Sequence, residues 1–526
     1  MKNTEFSPYL DALDGLVRKA CAHLQGNLDE EQIELYDLAF VQAEILAART
    51  LIEQAEQASE LEATCRYFCA NAIVSITQKL AVRPQTFGLT EAELPSLEPL
   101  QDYLSPQAIS ALGEHYLAQG LAADLLDDEK SIIRDTFKDF ADQVVKPLAE
   151  EVHRKDLLVP AAILEPLKEM GVFGLSVPER FGGLKPDTTE DSMGMVIVTE
   201  ELSRGSLGAA GSLITRPEIM ARALLEGGTE EQQARWLPQI ASGQTLCAVS
   251  VTEPNTGSDV ASVALKATKT DGGWLLNGGK TWCTYAGAAG ALLVLARTDA
   301  DAKPAHKGLS LFVVEKPSYD GHDFHYQQAE GGRMTGRAIP TLGYRGMHSF
   351  EMAYEDFFVP EDCLIGGEAG QGKGFYFTMR GFMGGRLQTA ARACGLMRAA
   401  FEESVSYSQD RMVFGRSVAS YPLSLAKLAR MGALITACKA FTAHVAGLMD
   451  QGLGQMEASL VKLFSCRAAE WVTREGVQLH GGMGYAEEVA VSRYFADARV
   501  LSIFEGAEET LAIRVVGKSL VDQARN

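Results

Sequence analysis

Thr245–Val260 reads TLCAVSVTEPNTGSDV. Up to Val251 the stretch alternates or runs β-branched, the pattern of a strand. Pro254, Asn255 and Gly257 then break it, so a strand ends near Val251 and the chain turns. Segments that alternate or run β-branched continue through VALKATKT, GGWLLNGGKTWCTYA, GALLVLARTD and GLSLFVVEK. Gly272-Gly273 separates two of these runs and fits a tight hairpin turn. From about Thr245 to Val359 the chain therefore reads as a small β domain.

Helical period flanks this domain on both sides. Leu13, Leu16, Val17 and Ala20 recur at helical spacing, as do Leu38, Val41, Ile45, Ala48 and Ile52. VRPQTFGLTEAELPSLEPL is richer in proline and polar residues and reads as a linker or a region of short helices. Near Asp128 a second helical block begins, with Ile133, Phe137, Phe140 and Val144 on one side. PEIMARALLEGGTEEQQARWLPQIASG reads as two helices joined at Gly227-Gly228, and Thr229 followed by Gln232 is a capping-box pattern. Beyond Lys373 three long helix candidates follow, beginning GFYFTMR, PLSLAKL and QMEASLV.

The chain has 526 residues, enough for three or four domains. Its 46% hydrophobic and 22% charged residues are ordinary for a soluble globular protein. A net charge of -21 argues against nucleic acid as a partner. The nine cysteines are scattered; Cys65 and Cys69 lie four apart with no second pair to complete a metal site, so free thiols and no metal are expected. No signal peptide is visible and no apolar run reaches membrane-spanning length, which implies a cytoplasmic protein with no membrane partner.

Five short stretches stand out against this background. VTEPNTGSDV is a loop that can aim N–H groups and hydroxyls at a ligand, or a plain polar hairpin. Trp282 in WCTY alone reads as core more readily than as a ligand contact. In DRMVFGR, Arg411 and Arg416 suit a phosphate or ordinary surface salt bridges. QLHGGMGY ends a helix with three glycines, as a C-cap does or as a close backbone approach to a phosphate requires. In LSIFEGAEETLAIRVVG, Glu505 stands between Phe504 and Gly506 ahead of an amphipathic helix. It reads either as a pocket carboxylate or as an N-terminal charge for that helix.

Taken in order, VTEPNTGSDV, GGKTWCTYAG, DRMVFGR, QLHGGMGY and IFEGAEE resemble the acyl-CoA dehydrogenase family over about Asp127 to Asn526. The resemblance implies an α+β fold with a helical domain, a central β domain and a C-terminal four-helix domain, plus an N-terminal helical extension outside the family core. The corresponding divisions are 1–125, 126–244, 245–365 and 366–526. It implies FAD between the β and C-terminal domains, a homodimer or homotetramer, and an electron-transfer flavoprotein as acceptor.

The resemblance also assigns residues. Val249, Val251, Thr252 and Ser258 match the flavin-binding strand end and loop, and Trp282 and Thr284 match residues beside the isoalloxazine ring. Arg411 and Phe414 match positions approaching a neighbouring subunit's FAD; Gln478, Gly481 and Gly482 match the segment at its pyrophosphate and adenosine. Position 413 is valine where many relatives have threonine, so one polar contact to FAD is missing. Arg386 matches a position near the CoA side. Glu505 matches the base that takes the C2 proton as hydride leaves C3 for flavin N5; the alternative base position on the long helix is Gly385, which cannot act. Phe504 is expected to wall the acyl pocket and Gly506 to let backbone approach the CoA side. The extension and motif details are similar to the family member that converts (2S)-methylsuccinyl-CoA to mesaconyl-CoA in the ethylmalonyl-CoA pathway. Its substrate carboxylate needs a buried partner; Arg216, with Thr215, is the expectation, and His348 is a weaker one. Other readings are a different short-chain, branched or dicarboxylic acyl-CoA, an acyl-CoA oxidase, and a non-catalytic interaction protein on the same fold.

Overall fold

A computed structural model describes residues 5–329 and 331–525. They form two compact units, one built from the chain up to Asp135 together with Thr389 onward, the other from Thr136–Gln388.

The second unit carries the β domain. Its eight strands are β1 Cys247–Ser250, β2 Lys266–Thr270, β3 Gly273–Thr284, β4 Ala291–Arg297, β5 Leu309–Glu315, β6 Asp323–Gln327, β7 Arg333–Ala338 and β8 Ser349–Pro360. They run in the order β1-β4-β2-β3-β8-β7-β6, with β5 also paired to β4. β4 and β5 are buried along nearly their whole length, which is why GALLVLARTD and GLSLFVVEK read as continuous apolar runs. β2 and β3 form the hairpin expected from the glycine pair, with Thr270 opposite Gly273 and Gly272 at φ +74° in the turn. Helices Thr215–Gly227 and Glu230–Ala241 precede the sheet, and the Thr229/Gln232 capping box forms between them.

The first unit is helical and holds the N-terminal block. Gln32–Ala55, Glu62–Ala81 and Pro106–Gln119 pack on the C-terminal helix Pro422–Asp450, Gln32–Ala55 also on Gln455–His480, and Ser7–His23 packs on Gln32–Ala55 and Glu62–Ala81. The proline-rich segment between them is a chain of short 3-10 turns, including Pro84–Phe87, Glu91–Glu93 and Glu98–Leu100. At the closest approach Gly113 lies on the backbone of Leu425; an added Cβ would stand 2.4 Å from the Leu425 carbonyl oxygen. Tyr116 lies beneath this contact, fully buried, its hydroxyl 2.7 Å from Thr64 Oγ1 and its ring edge-on to Phe401. Pro422–Asp450 corrects one expectation. Among the described residues it is a helix long and apolar enough to cross a membrane, where the sequence reading found no run of that length. It is packed against Pro106–Gln119 and Gln32–Ala55, and core burial accounts for its composition.

Candidate active site

In the second unit the strand end of β1 is fixed from below. Val249 is half-buried, Val251 buried, Thr252 half-buried, and Ser258 exposed in the following loop. Glu253 turns inward and accepts from the N–H groups of Ala264 and Leu265, at 2.8 and 2.7 Å. Lys280 completes the set, its Nζ 2.9 Å from Glu253 Oε1 and 2.8 Å from the Val251 carbonyl oxygen. Both side chains are buried, so each charge needs the other. Burial pulls the Lys280 ammonium down to about 8, against the opposing pull of Glu253. This network clamps the VTEPNTGSDV loop to β3 from within one unit.

Two residues further along β3, the pairing with β8 shifts register between Lys280 and Cys283. Trp282 sits at this bulge with φ +57°, and its ring is 55% exposed, while Cys283 and Thr284 on either side of the next pleat are buried. A tryptophan in the left-handed region at the surface is costly and rarely accidental. The reading of Trp282 as plain core is thereby corrected, because the bulge interrupts the alternation that would have buried it. Thr284 Oγ1 lies 2.9 Å from Ser349 Oγ on β8.

Thr215 and Arg216 stand at the start of Thr215–Gly227, both buried. Thr215 donates to Gln388 Oε1 at 2.7 Å. Arg216 Nη1 reaches the Tyr344 hydroxyl at 3.1 Å and the Ser212 carbonyl at 3.4 Å, so its guanidinium already has protein acceptors. Arg386 is half-buried on Gly374–Asp410, with Gly385 beside it. His348 is buried, 3.1 Å from Asp156.

In the first unit, Arg411 follows the end of Gly374–Asp410 and opens a two-strand ribbon, Met412–Val413 with Arg416–Ser417. Its turn places Phe414 at φ +48° and Gly415 at φ +83°, a double left-handed turn. Phe414 is 99% exposed, presented at the tip with no packing role in the chain that carries it. A cavity of about 520 Å³ is lined by Arg411, Tyr407, His480, Gly481, Gly482 and Met483 among others. Gly481 has φ +60°, and a Cβ at Gly481 or Gly482 would meet nothing within 4 Å, so bare backbone faces open space. Gln478 is exposed one turn earlier on Gln455–His480.

Glu505 lies between Ala490–Leu501 and the helical stretch that begins at Glu508. That stretch has Ala507 as its N-cap without side-chain capping, so Glu505 is not the cap. Glu505 holds φ +55° and Gly506 φ +102°, two consecutive left-handed residues. The Glu505 side chain is only 7% exposed. Lys462 Nζ anchors the turn by donating to the Gly506 carbonyl at 2.5 Å. Arg392, with no exposed surface, brings Nη2 to 4.0 Å from Glu505 Oε1. The same guanidinium lies over the Phe504 ring at 4.7 Å and donates to Thr389 Oγ1 at 2.7 Å. Sequence reasoning missed Arg392, Lys462 and the Glu253–Lys280 pair. For Arg392 a signal existed: it interrupts the run of small and apolar residues Ala390, Ala391, Ala393 and Cys394, which is no solvent face.

The residues fit a flavin dinucleotide by their chemistry. Within the second unit, Trp282 presents an aromatic face from strained backbone beside the Thr284 and Ser349 hydroxyls, which suits a flavin ring; within the first unit, taken by itself, Arg411 with Gly481 and Gly482 suits a phosphate group.

Comparisons with known proteins cover most of the chain. Residues 127–244 match the acyl-CoA dehydrogenase N-terminal domain, 248–357 the middle domain and 372–521 the C-terminal domain. The (2S)-methylsuccinyl-CoA dehydrogenase of Cereibacter sphaeroides is 43% identical over 399 residues, which are 76% of this chain and 70% of that protein. Butyryl-CoA dehydrogenase of Megasphaera elsdenii superposes with a TM-score of 0.68 at 29% identity, covering 76% of this chain and 100% of that one. A chain from a structure concerned with the electron transferring flavoprotein of Acidaminococcus fermentans superposes at 0.67 and 28% identity, over 75% of this chain and 98% of that one.

Proposed function

The chain belongs to the acyl-CoA dehydrogenase family, and on that premise we propose that its substrate is (2S)-methylsuccinyl-CoA, oxidised across C2–C3 to mesaconyl-CoA with Glu505 as the base. The family works with FAD, which when bound supplies the acceptor for the hydride leaving C3. Val249, Val251, Thr252, Trp282 and Thr284 would hold its ring system, and Arg411, Gly481 and Gly482 would hold a phosphate-bearing part.

Glu505 takes the C2 proton. Its carboxylate is held by consecutive left-handed residues and by the Lys462 anchor on Gly506, so the side chain needs no reorganisation to act. The Glu505 N–H is assigned as one donor to the thioester oxygen, where enolate charge develops. Burial strengthens both interactions.

The observation that carries the substrate is Arg392. The substrate's free carboxylate carbon is two bonds from C2, so its counter-cation must stand within a few ångströms of the base. Arg392 does so, buried and 4.0 Å from Glu505, and we assign the carboxylate to it ahead of Arg216. The 43% identity to the Cereibacter enzyme supports the same substrate. We also propose an electron-transfer flavoprotein as the acceptor and a homo-oligomer in which Phe414 reaches a neighbouring copy; the exposure of that ring supports the second.

Anaerobic mixing of the purified flavoprotein with methylsuccinyl-CoA, butyryl-CoA, isobutyryl-CoA and glutaryl-CoA tests this reading. Rapid flavin bleaching by methylsuccinyl-CoA above the others is expected. Preferential bleaching by butyryl-CoA would keep the family and discard the substrate.

A further inference from the structure

We infer that Asp156, His322 and His348, all in the second unit, form a binding site for one divalent cation of the zinc type. The three residues are far apart in sequence. Asp156 follows the helix Lys146–Arg154, His322 lies in the turn before β6, and His348 lies just before β8. The fold brings one ligand atom from each within 4.8 Å of the others. Two imidazoles and one carboxylate suit zinc, cobalt or nickel rather than magnesium or calcium.

The geometry around His348 is the strongest part of the case. Its Nδ1 lies 3.3 Å from the Gly346 carbonyl, a bond that a neutral ring satisfies by carrying its proton on Nδ1. That leaves the Nε2 lone pair aimed at Asp156 Oδ1, 3.1 Å away. In that tautomer both atoms are acceptors, which a bridging cation satisfies; an Nε2–H donating to Asp156 is the metal-free alternative. The ring of His322, with centroids 4.4 Å apart, stands where a further ligand to the same ion would. Ligands about 2.0–2.1 Å from one ion sit roughly 3 to 3.5 Å from each other, and the 3.1 Å pair already has that spacing. The carbonyl of Gly346 on the far nitrogen is the outer support that metal-bound histidines commonly have.

Strain points the same way. Asp156 holds φ +54° and His348 φ +24°, so two of the three residues keep left-handed backbone without being glycine. Arg345 shares the Asp156 carboxylate, with Nε 3.5 Å from Oδ1, but its guanidinium also donates to the carbonyls of His153 and Thr341. Its charge tempers the affinity. The nine cysteines are buried and offer no competing thiol at the surface.

The test uses the tag-free, full-length flavoprotein, stripped with EDTA and titrated with Co²⁺ and then Zn²⁺. Cobalt is expected to bind once per chain with ligand-field absorption beyond the flavin band, and zinc to displace it. Zinc should also raise the melting temperature. His322→Ala should weaken cobalt affinity at least tenfold and abolish the thermal shift; because His322 is exposed, this variant keeps its fold. Asp156→Asn should weaken binding as well. Absence of stoichiometric binding, or unchanged affinity in His322→Ala, would overturn the assignment. None of these readouts depends on which thioester the protein oxidises.

Discussion

Arg392 Nη2 and Glu505 Oε1 stand 4.0 Å apart inside the helical unit, both shielded from solvent. The distance is too long for a strong hydrogen bond and short enough for a large Coulomb interaction, about 4 kcal/mol at an effective dielectric of 20. A base locked in a tight salt bridge would have to break it to reach the substrate. A base with a cation one contact shell away keeps its freedom and gains a neighbour for an incoming negative group.

Replacing the base without changing its shape isolates proton transfer. Glu505→Gln should slow substrate-driven flavin bleaching by about a thousandfold, the middle of the range for positioned general bases. Flavin content and melting temperature should stay at wild-type values. Bleaching within tenfold of wild type would move the base elsewhere.

Arg392→Met separates charge from packing. Loss of a buried charge partner costs about 3 kcal/mol, or roughly a hundredfold in kcat/KM for methylsuccinyl-CoA. Butyryl-CoA has no second carboxylate, so its kcat/KM should fall much less. Equal losses for the two thioesters would mean that Arg392 serves Glu505 alone.

Gly506→Ala probes the turn that carries the base. At φ +102° the new Cβ is strained, and it would stand 2.9 Å from Leu511 Cδ2. Destabilisation of about 1–3 kcal/mol is expected, read from chemical denaturation, with a fall in kcat larger than any change in KM. Wild-type kcat in this variant would show that the left-handed turn is not needed to aim Glu505.

The Glu253–Lys280 clamp predicts a pH dependence with a definite sign. Lys280 titrates near pH 8 in the folded protein and near its ordinary value, about 10.4, when unfolded. Between those limits the unfolded chain holds a proton that the native chain has released. This group therefore makes stability rise with pH from about 8 to about 10, by up to roughly 3 kcal/mol. Urea denaturation at stepped pH should show the rise in wild type and lose it in Lys280→Met. Parallel curves for the two proteins would disprove it.

The architecture was largely readable in advance because it rests on local patterns. The switch of period near Thr245, the turn between β2 and β3, and the capping box at Thr229 are all short-range signals, and each appears where expected. What escaped was what depends on chain segments meeting. Glu253 and Lys280 pair across strands, and nothing in either neighbourhood marks an inward charge. Trp282 is exposed by a register shift that alternation cannot foresee. Glu505 was identified through family resemblance; its left-handed backbone and its Arg392 neighbour are properties of the folded turn. The docking of the N-terminal helices onto Pro422–Asp450 was likewise invisible, since an apolar helix face does not name its partner.

The helical unit is assembled from both ends of the chain, and this has a consequence for biogenesis. The ribosome releases the first 135 residues long before Thr389 onward exists. During that interval the faces of Gln32–Ala55 and Pro106–Gln119 that will cover Pro422–Asp450 lack that partner. Sequence-distant pairing of this kind folds slowly and leaves apolar surface open to aggregation. The helix Ser7–His23 finally packs against Lys518–Arg525, so the unit closes only after that helix has been made. Nascent chains truncated before Pro422 should therefore be chaperone clients, and a circular permutant joining the two termini should fold with less assistance than the natural order.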